Sequence, residues 1–528
     1  MAPPTKFGPK LDFYLATCRE RAPLDHAPDK EEIIRAIASL ADPLSVSYTT
    51  FETILALERA PLCAHASILL TGSHILPSCI QLLRQYCSGR TQLFDHAYGY
   101  LCFRLMNLSI GVAKLARVNV LPKFLHILKS SSRGIRDKAI TEELAVHVRE
   151  WEAKEFTPGG QFLLPASNLL GWGIDPPTRM PTALPGIGGF TILDTVFLME
   201  KIWESRGKFL RCLRSALRLQ NYAGWCGIFH LMHDTLVRMH GMSHINGQEF
   251  DEYQNWITFT DIMQRYSLCA NHYEEPTVSY LIKNRPNHQR EKLRITALDP
   301  ADVDQIVGAY INKARQQPSI VYAHATRLFA FAMTSCHLDK SKFVTNVTRI
   351  TEAALADSWA RFGQMRGGST GLSFWANFSD SVINTLILVP ALNKIADLQR
   401  QTILKIIVNE NLLDFLGYFV LYPLTTKDKT IIDSPYWQNN ALEILHRFIP
   451  ILREHMETAP IDRVNPLYDT WNKTAQSLQH HKVMNKHISD RGKDYIYTWE
   501  ETWEQIGEAI GRYTLQSSGV NRRIGMIL

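Results

Sequence analysis

One short string in this 528-residue chain resembles a catalytic motif. Residues 367–371 (GGSTG) match the G-x-S-x-G pattern that places a nucleophilic serine in serine hydrolases. The pattern works only where a strand turns sharply into a helix. Residues 350–366 have an amphipathic helical pattern instead, so the glycines are interpreted as the end of a helix. We therefore predict that Ser369 is unreactive, and we assign no catalytic residue.

Four histidines form the chain's best candidate for a metal site. His230, His233, His240 and His244 would fall within roughly 80° of one another on a continuous helix. However, Gly241 is expected to end that helix before His244 is reached. No carboxylate or cysteine has the spacing of a familiar zinc site. These histidines are therefore interpreted as ordinary, partly buried side chains, and no metal or cofactor is predicted.

A basic helix face is the strongest candidate for partner binding. One face of this helix carries Arg211, Arg214 and Arg218. Trp203 lies earlier in the sequence, in the preceding helical segment. Arginine and tryptophan are the residues that most often anchor protein interfaces. The face favours an acidic protein partner over nucleic acid, although a solvated surface remains the alternative. The net charge of +6 is too mild to decide between them.

The bulk composition excludes several classes of protein. Apolar residues make up 45% of the chain and charged residues 20%, which is typical of globular rather than disordered proteins. A chain of 528 residues is too long for one compact core, so we expect several domains or one extended helical stack. The nine cysteines form no CxxC pair and are interpreted as free thiols. With no secretory signal and no apolar span, the chain is predicted to be soluble, without a membrane partner, and cytoplasmic or nuclear.

The elements that would position these residues are helices. Capping signals occur at Asp29, at Asp299 with Pro300, and at Thr498 with Glu501, and each predicts the start of a helix. After the last of these signals, apolar residues recur with helical spacing and predict a buried stripe. Its members are Trp499, Trp503, Ile506 and Ile510.

An internal repeat indicates how the helices are arranged. Residues 76–84 (LPSCIQLLR) align with residues 121–129 (LPKFLHILK) at an offset of 45, and residues 411–416 (NLLDFL) form a weaker copy. A period in this range is typical of armadillo and HEAT repeats, whose units stack because none can bury its own apolar face. Residues 104–132 (RLMNLSIGVAKLARVNVLPKFLHILKSSS) resemble an armadillo repeat, and the resemblance extends over about 49–132. It implies an all-α fold of stacked helices, an armadillo-like α-solenoid or α-α superhelix.

A second resemblance concerns the whole chain. The armadillo-like beginning, the tryptophan-rich body and the closing helix at 503–511 (WEQIGEAIG) resemble uncharacterised fungal proteins that end in a MYND zinc finger. That finger requires several cysteines further along the chain, and none follows Cys336. The resemblance therefore implies no zinc function here.

Two irregular segments suggest the domain boundaries. Residues 157–189 hold seven glycines and six prolines together with many large apolar residues, which predicts an extended strap packed along the helices. Residues 277–300 predict a basic loop. The resulting regions are an armadillo-like 1–156, the strap 157–189, a helical 190–276, the loop 277–300 and a helical 301–528.

These observations favour a non-catalytic protein-interaction or scaffold module. Its concave surface would bind another protein or an extended peptide, with the Arg211, Arg214, Arg218 and Trp203 face selecting an acidic partner. Two alternatives remain open: an enzyme of unidentified chemistry, and a regulatory protein that has lost a C-terminal zinc finger.

Overall fold

The structure is a computed structural model. It describes residues 6–17, 28–58, 62–72, 74–117, 121–122, 125–126, 172–175, 180–183, 188–189, 191–219, 226–238, 244–245, 248–249, 251–270, 274, 278, 281–282, 300–315, 322–339, 341–362, 396–409, 411–425, 435–456, 461–484 and 490–517. These residues cluster into two compact units, 1–298 and 299–528. The division falls inside the segment 277–300 that the sequence assigns to a basic loop. The other predicted boundaries remain predictions.

The first unit is built from helices. They are α1 (Leu11–Thr17), α2 (Lys30–Ser39), α3 (Tyr48–Leu55), α4 (Ile75–Tyr86), α5 (Ala97–Arg117), α6 (Ile192–Glu204), α7 (Arg206–Leu219), α8 (Cys226–Arg238) and α9 (Glu252–Ser267), with 3-10 segments at Ala56–Glu58 and Leu62–Thr71. The start of α2 confirms the capping signal at Asp29. The Asp29 carboxylate accepts from the Glu32 backbone N–H at 2.7 Å, and the Glu32 carboxylate accepts from the Asp29 N–H at 2.9 Å.

Helix α5 lies at the centre of the first unit. It packs against α3, α4, α8 and the Leu62–Thr71 segment. Phe103 on α5 begins a chain of ring contacts that runs through Phe209 (6.3 Å between centroids) and Phe229 (5.8 Å) to Tyr266 (5.2 Å), and thereby links α5 to α7, α8 and α9. All four rings are buried, so this aromatic chain forms the core.

Helix α9 carries charge into that core. From Thr258 to Ser267 every residue is buried, including polar ones. Asp261 forms ion pairs with Arg206 and Arg265, with a nitrogen–oxygen distance of 3.3 Å in each pair. An ionised side chain is stable in the interior only with such pairing.

The second unit contains the longest helices. They are α10 (Pro300–Arg315), α11 (Tyr322–Ser335), α12 (Phe343–Phe362), α13 (Ala396–Asn409), α14 (Leu412–Thr425), α15 (Pro435–Met456), α16 (Ile461–Met484) and α17 (Asp490–Ser517), with a 3-10 turn at Cys336–Leu338. The predicted start at Asp299–Pro300 is matched by α10, which begins at Pro300; Asp299 itself lies outside the described residues. Among the described helices, α13 packs against α12 and α14, and α16 packs against α14 and α17.

Two tryptophans bind α16 to α17 in what we call the tryptophan clamp. The Trp471 indole N–H donates to the Trp503 carbonyl at 2.7 Å, and the Trp503 indole N–H donates to the Trp471 carbonyl at 3.0 Å. The helices approach so closely that a Cβ on Gly507 would lie 2.3 Å from the Trp471 ring. The predicted buried stripe of α17 is confirmed, because its members are at most 1% exposed.

The predicted helix start at Thr498 is wrong. Helix α17 begins at Asp490, and the Thr498 carbonyl accepts an intrahelical bond from the Thr502 hydroxyl at 2.8 Å. Ile496 is buried and extends the apolar stripe one turn earlier. Burial of that additional turn therefore outweighs the local capping signal.

The described residues establish an all-α class, compatible with a helical repeat fold. Antiparallel hairpins pair β1 (Trp172–Asp175) with β2 (Met180–Ala183), and β3 (His244–Ile245) with β4 (Gln248–Glu249). The first hairpin lies within the predicted strap, whose side chains lie outside the described residues.

Among the helices that the structure describes, none alone is long and apolar enough to cross a membrane. One pair of segments, Tyr48–Glu58 and Leu62–Thr71, reaches the necessary length and composition only when the two are taken together, and the chain bends by 119° between them.

Candidate functional site

A cavity of about 610 Å³ lies in the first unit between α1, α2, α3 and α5. Helix α1 forms one wall, and the segment before it holds that helix in place. The Tyr48 N–H donates to the Lys6 carbonyl at 3.1 Å, and the Leu11 N–H donates to the Asp95 carbonyl at 3.0 Å. Gly8 adopts a φ of +72° directly against the Tyr48 ring, a conformation and a closeness that suit only glycine. Tyr14 of α1 is thereby fixed as a lining residue.

Helix α2 presents one polar face to the cavity. Glu32, Arg35, Ala36 and Ser39 all line it, and their spacing of i, i+3, i+4 and i+7 places them on one side of the helix. The capping box that begins α2 also uses Glu32, so the carboxylate is held near the first turn. The start of the helix therefore determines where this wall lies.

Helix α3 and the turn after it supply hydroxyl and carboxyl groups. Thr49, Thr50, Glu52 and Thr53 line the cavity from α3, and Glu58 lines it from the 3-10 segment. The Tyr14 hydroxyl donates to Glu52 Oε1 at 3.0 Å, which joins the α1 wall to the α3 wall. Thr53 donates to the Thr49 carbonyl at 3.0 Å, so its hydroxyl also stabilises the helix.

Helix α5 closes the cavity with one apolar and one charged residue. Leu101 and Arg104, three residues apart, point to the same side. The Arg104 guanidinium forms an ion pair and hydrogen bond with Glu58 and lies 5.5 Å from the centre of the Tyr100 ring. The side chains of this pair are only 13% and 10% exposed, so the charges strengthen each other in a partly dehydrated wall.

The lining groups are suited to binding a polar molecule. Among the described residues, they combine three carboxylates, two guanidinium groups and several hydroxyls with the apolar surfaces of Leu55 and Leu101. Elsewhere, burial raises the pKa of the Cys87 thiol to about 11 and of the Cys336 thiol to about 12, which keeps both protonated near neutral pH. Among the described residues, no three His, Cys, Asp or Glu side chains are grouped to hold a metal ion.

The basic face predicted from the sequence lies on α6 and α7, outside the cavity lining. Arg211 donates through Nη1 to both carboxylate oxygens of Asp12 on α1, at 2.9 Å each. Trp203 is half-buried beneath the Arg206 guanidinium, 4.2 Å from the ring centre. Arg214 is half-buried, and the side chain of Arg218 lies outside the described residues.

Other basic residues around α6 and α7 also form contacts within the first unit. Arg84 of α4 pairs with Asp194 at 3.0 Å, and its guanidinium lies 4.3 Å from the centre of the Phe197 ring. Lys208 forms an ion pair with Asp95. Together with Arg211–Asp12, these contacts form an ion-pair network that ties α6 and α7 to the first five helices.

The remaining sequence candidates are only partly described. Ser369 and His240 lie outside the described residues, and only the backbone of His244 is described. His230 and His233 are both 5% exposed, and the His233 ring lies edge-on to Trp256 at 5.6 Å. These two histidines thus lie within the core of the first unit.

Sequence analysis missed the cavity, although one signal was available. Glu32, Arg35 and Ser39 form a polar stripe on α2 beside the apolar residues Ile33 and Ile37. Such a stripe normally faces solvent. Only the fold brings α1, α3 and α5 around it, since Arg104 and Glu58 are 46 residues apart.

Comparisons with known proteins returned no family model, no curated protein and no solved structure that matches this chain.

Proposed function

We propose that this chain is a non-catalytic interaction module, in which the cavity between α1, α2, α3 and α5 binds a segment of a partner protein. The observation that carries the proposal is the cavity itself. Its volume of about 610 Å³ is within the range of roughly 300–1,000 Å³ typical of ligand sites. Its walls are held by internal bonds, which lowers the entropy lost on binding.

The lining favours a polypeptide segment over a small apolar ligand. Pockets for small molecules are predominantly hydrophobic and aromatic. Here ten of the fourteen described lining residues carry a hydroxyl or charged group, as is common at the polar rim of protein interfaces. An extended peptide offers both backbone and side-chain groups to such a surface.

An armadillo-like stack is the arrangement we propose for the surrounding helices. Burial in the two repeat copies supports this. Leu76 and Leu121 are both buried, and the prolines that follow them, Pro77 and Pro122, are both exposed. Equivalent positions of the two copies thus have the same exposure to solvent, as they do in stacked repeat units. The free, buried cysteines support a reducing compartment, cytoplasmic or nuclear.

The acidic partner expected for the α7 face remains a separate proposal. The pairing of Arg211 with Asp12 means that an acidic partner would have to compete with an internal carboxylate for this residue. For Arg214 the described residues give no such pairing, and the side chain of Arg218 lies outside them.

Two tryptophan substitutions on the same helix test the cavity proposal. Ala36 lines the cavity, whereas Ala38 is exposed on another side of α2. Ala36→Trp should obstruct the cavity and remove a defined set of proteins captured by the full-length chain, as identified by mass spectrometry. Ala38→Trp should retain that set. If both variants, with unchanged circular dichroism, capture the same proteins as wild type, the cavity is not the binding site.

A further inference from the structure

We infer that the surface in contact with residues 6–17 is a separable peptide-binding site, which the same segment of a second copy of this chain can occupy. In this structure the chain's own segment fills the site. The inference concerns a second site in the first unit and does not depend on what the cavity binds. It begins from the way that segment is attached.

The backbone of the segment completes the start of helix α5. The first N–H groups of a helix have no partners within it. Here the Ala97 N–H donates to the Pro9 carbonyl at 2.9 Å, and the Tyr98 N–H donates to the Phe7 carbonyl at 3.2 Å. Main-chain bonds of this kind give a bound peptide affinity, whereas its side chains give selectivity.

Side chains of the segment fit the surface behind them. The Phe7 ring packs edge-on against Tyr86 and Tyr98, with ring centroids 5.1 and 5.3 Å apart. Further along, Leu11 and Leu15 of α1 are buried. An aromatic residue followed by an apolar helical turn is therefore the ligand chemistry that this site selects.

Gly8 sets a second requirement on the ligand. Its φ of +72° is left-handed, and an added Cβ would lie 2.6 Å from the Tyr48 ring. Both conformation and space therefore exclude a side chain at this position. Arg211 pairs with Asp12 of the segment at 2.9 Å. The ligand thus carries an aromatic residue, a glycine directly after it and a carboxylate further on.

The contacts are the same whichever copy supplies the segment. They join residues up to 199 positions apart in sequence. The twelve residues 18–29 connect the segment to α2 and can span at most about 40 Å when fully extended. Exchange of an identical element between copies keeps every contact and needs no new surface. A second copy is therefore the partner whose segment fits, and its Tyr14 would line the cavity of the first.

The first test adds a fluorescent peptide of residues 6–17 to the full-length chain with Gly8→Val, in which the chain's own segment cannot dock. Fluorescence polarisation should show binding at least about tenfold tighter than to wild type, where the tethered segment competes at high effective concentration. A peptide with Gly8→Val should bind the same chain at least about tenfold more weakly, because docking would strain its backbone. A peptide with Phe13→Ser, at a position 64% exposed, should bind as the unmodified peptide does.

Hydrogen exchange separates docking from general destabilisation. In the Gly8→Val chain, the Ala97 and Tyr98 amides should lose protection. The unmodified peptide should restore it, because it supplies the carbonyls of Pro9 and Phe7 again. Equal peptide binding by wild type and the Gly8→Val chain, or no recovery of protection at these two amides, would overturn the inference.

Mixing two full-length variants tests occupancy by a second copy. Ala97→Pro suits the first position of a helix but places a ring carbon where the Pro9 carbonyl lies, so the site is blocked and the segment is intact. Gly8→Val disables the segment and leaves the site intact. An equimolar mixture should form dimers in analytical ultracentrifugation, whereas each variant alone should stay monomeric. A mixture that stays monomeric would show that the site accepts only the chain's own segment, and dimers of either variant alone would locate the contact elsewhere. Either result would overturn the second-copy assignment.

Discussion

The cavity wall of the first unit and the tryptophan clamp of the second are held together by different kinds of contact. In the first unit, ion pairs join residues far apart in sequence. Arg104–Glu58 is largely buried in the cavity wall, whereas Arg211–Asp12 lies outside the lining and is open to water. In the second unit, α16 and α17 meet through the half-buried indole ring of Trp471, the buried ring of Trp503 and a glycine. Ion pairs at a surface tolerate adjustment, whereas close-packed backbones do not. Adjustment is therefore expected at the exposed ion pairs of the first unit, and rigidity at the tryptophan clamp of the second.

The largest effect should come from adding one methyl group at the tryptophan clamp. Gly507→Ala places a Cβ 2.3 Å from the Trp471 ring, which cannot move without losing its bond to the Trp503 carbonyl. We expect a loss of about 3 kcal/mol in the free energy of unfolding, measured by hydrogen exchange in α16 and α17. The matched control is Gly511→Ala on the same helix, where an added Cβ would lie more than 4 Å from the described atoms outside its own stretch of helix. It should be neutral or stabilise by up to about 1 kcal/mol. Equal effects of the two variants would show that the close contact does not limit packing.

A smaller effect is expected in the cavity wall. Arg104→Met removes the partner of Glu58 and leaves a carboxylate in a largely buried position. Hydrogen exchange in α3 and α5 should report a loss of about 2 kcal/mol, somewhat below the value for fully buried pairs. Adding Glu58→Gln to this variant should restore part of the stability, because the side chain that loses its arginine partner is then neutral. A double variant less stable than Arg104→Met would contradict this account.

The smallest effect is expected in the ion-pair network. Arg211 and Asp12 have side-chain exposures of 36% and 67%, so water screens their attraction. Arg211→Met should cost less than about 1 kcal/mol in dilute buffer. In 1 M NaCl, where the screening length is about 3 Å, the difference from wild type should vanish. Chemical denaturation with urea at the two salt concentrations measures both values. A loss above 2 kcal/mol in the free energy of unfolding that persists in 1 M NaCl would show that solvent does not screen this contact, and would contradict the comparison.

Local features of the fold could be predicted from the sequence, whereas long-range ones could not. Asp29 predicted the start of α2 because capping involves only the next three residues. The stripe containing Trp499 and Trp503 predicted a buried face because helical periodicity is visible within a few turns. Thr498 predicted a helix start wrongly because its capping signal is also local. The helix begins earlier, where burial of Ile496 outweighs that signal.

The candidate site depended on contacts that no local pattern contains. Arg211 and Asp12 are 199 residues apart, and nothing in either neighbourhood indicates that they meet. Sequence reasoning therefore treated the arginine as available to a partner. Likewise, Glu52 and Tyr14 are 38 residues apart, and each looked like an ordinary polar residue of a helix surface. The cavity exists only because four helices converge on these groups.

The tryptophan clamp also has a consequence for how the chain can change over generations. Each of its two bonds joins a ring to a main-chain carbonyl, and every amino acid retains that carbonyl. Replacing Trp471 therefore removes one bond and leaves the acceptor for the Trp503 ring in place, and the converse holds for Trp503. Descendants of this sequence can pass through a single-tryptophan intermediate in either order. Gly507 has no such route, because any larger residue there meets the Trp471 ring while that ring is present. A lineage should thus lose the indole at 471 before it loses the glycine at 507.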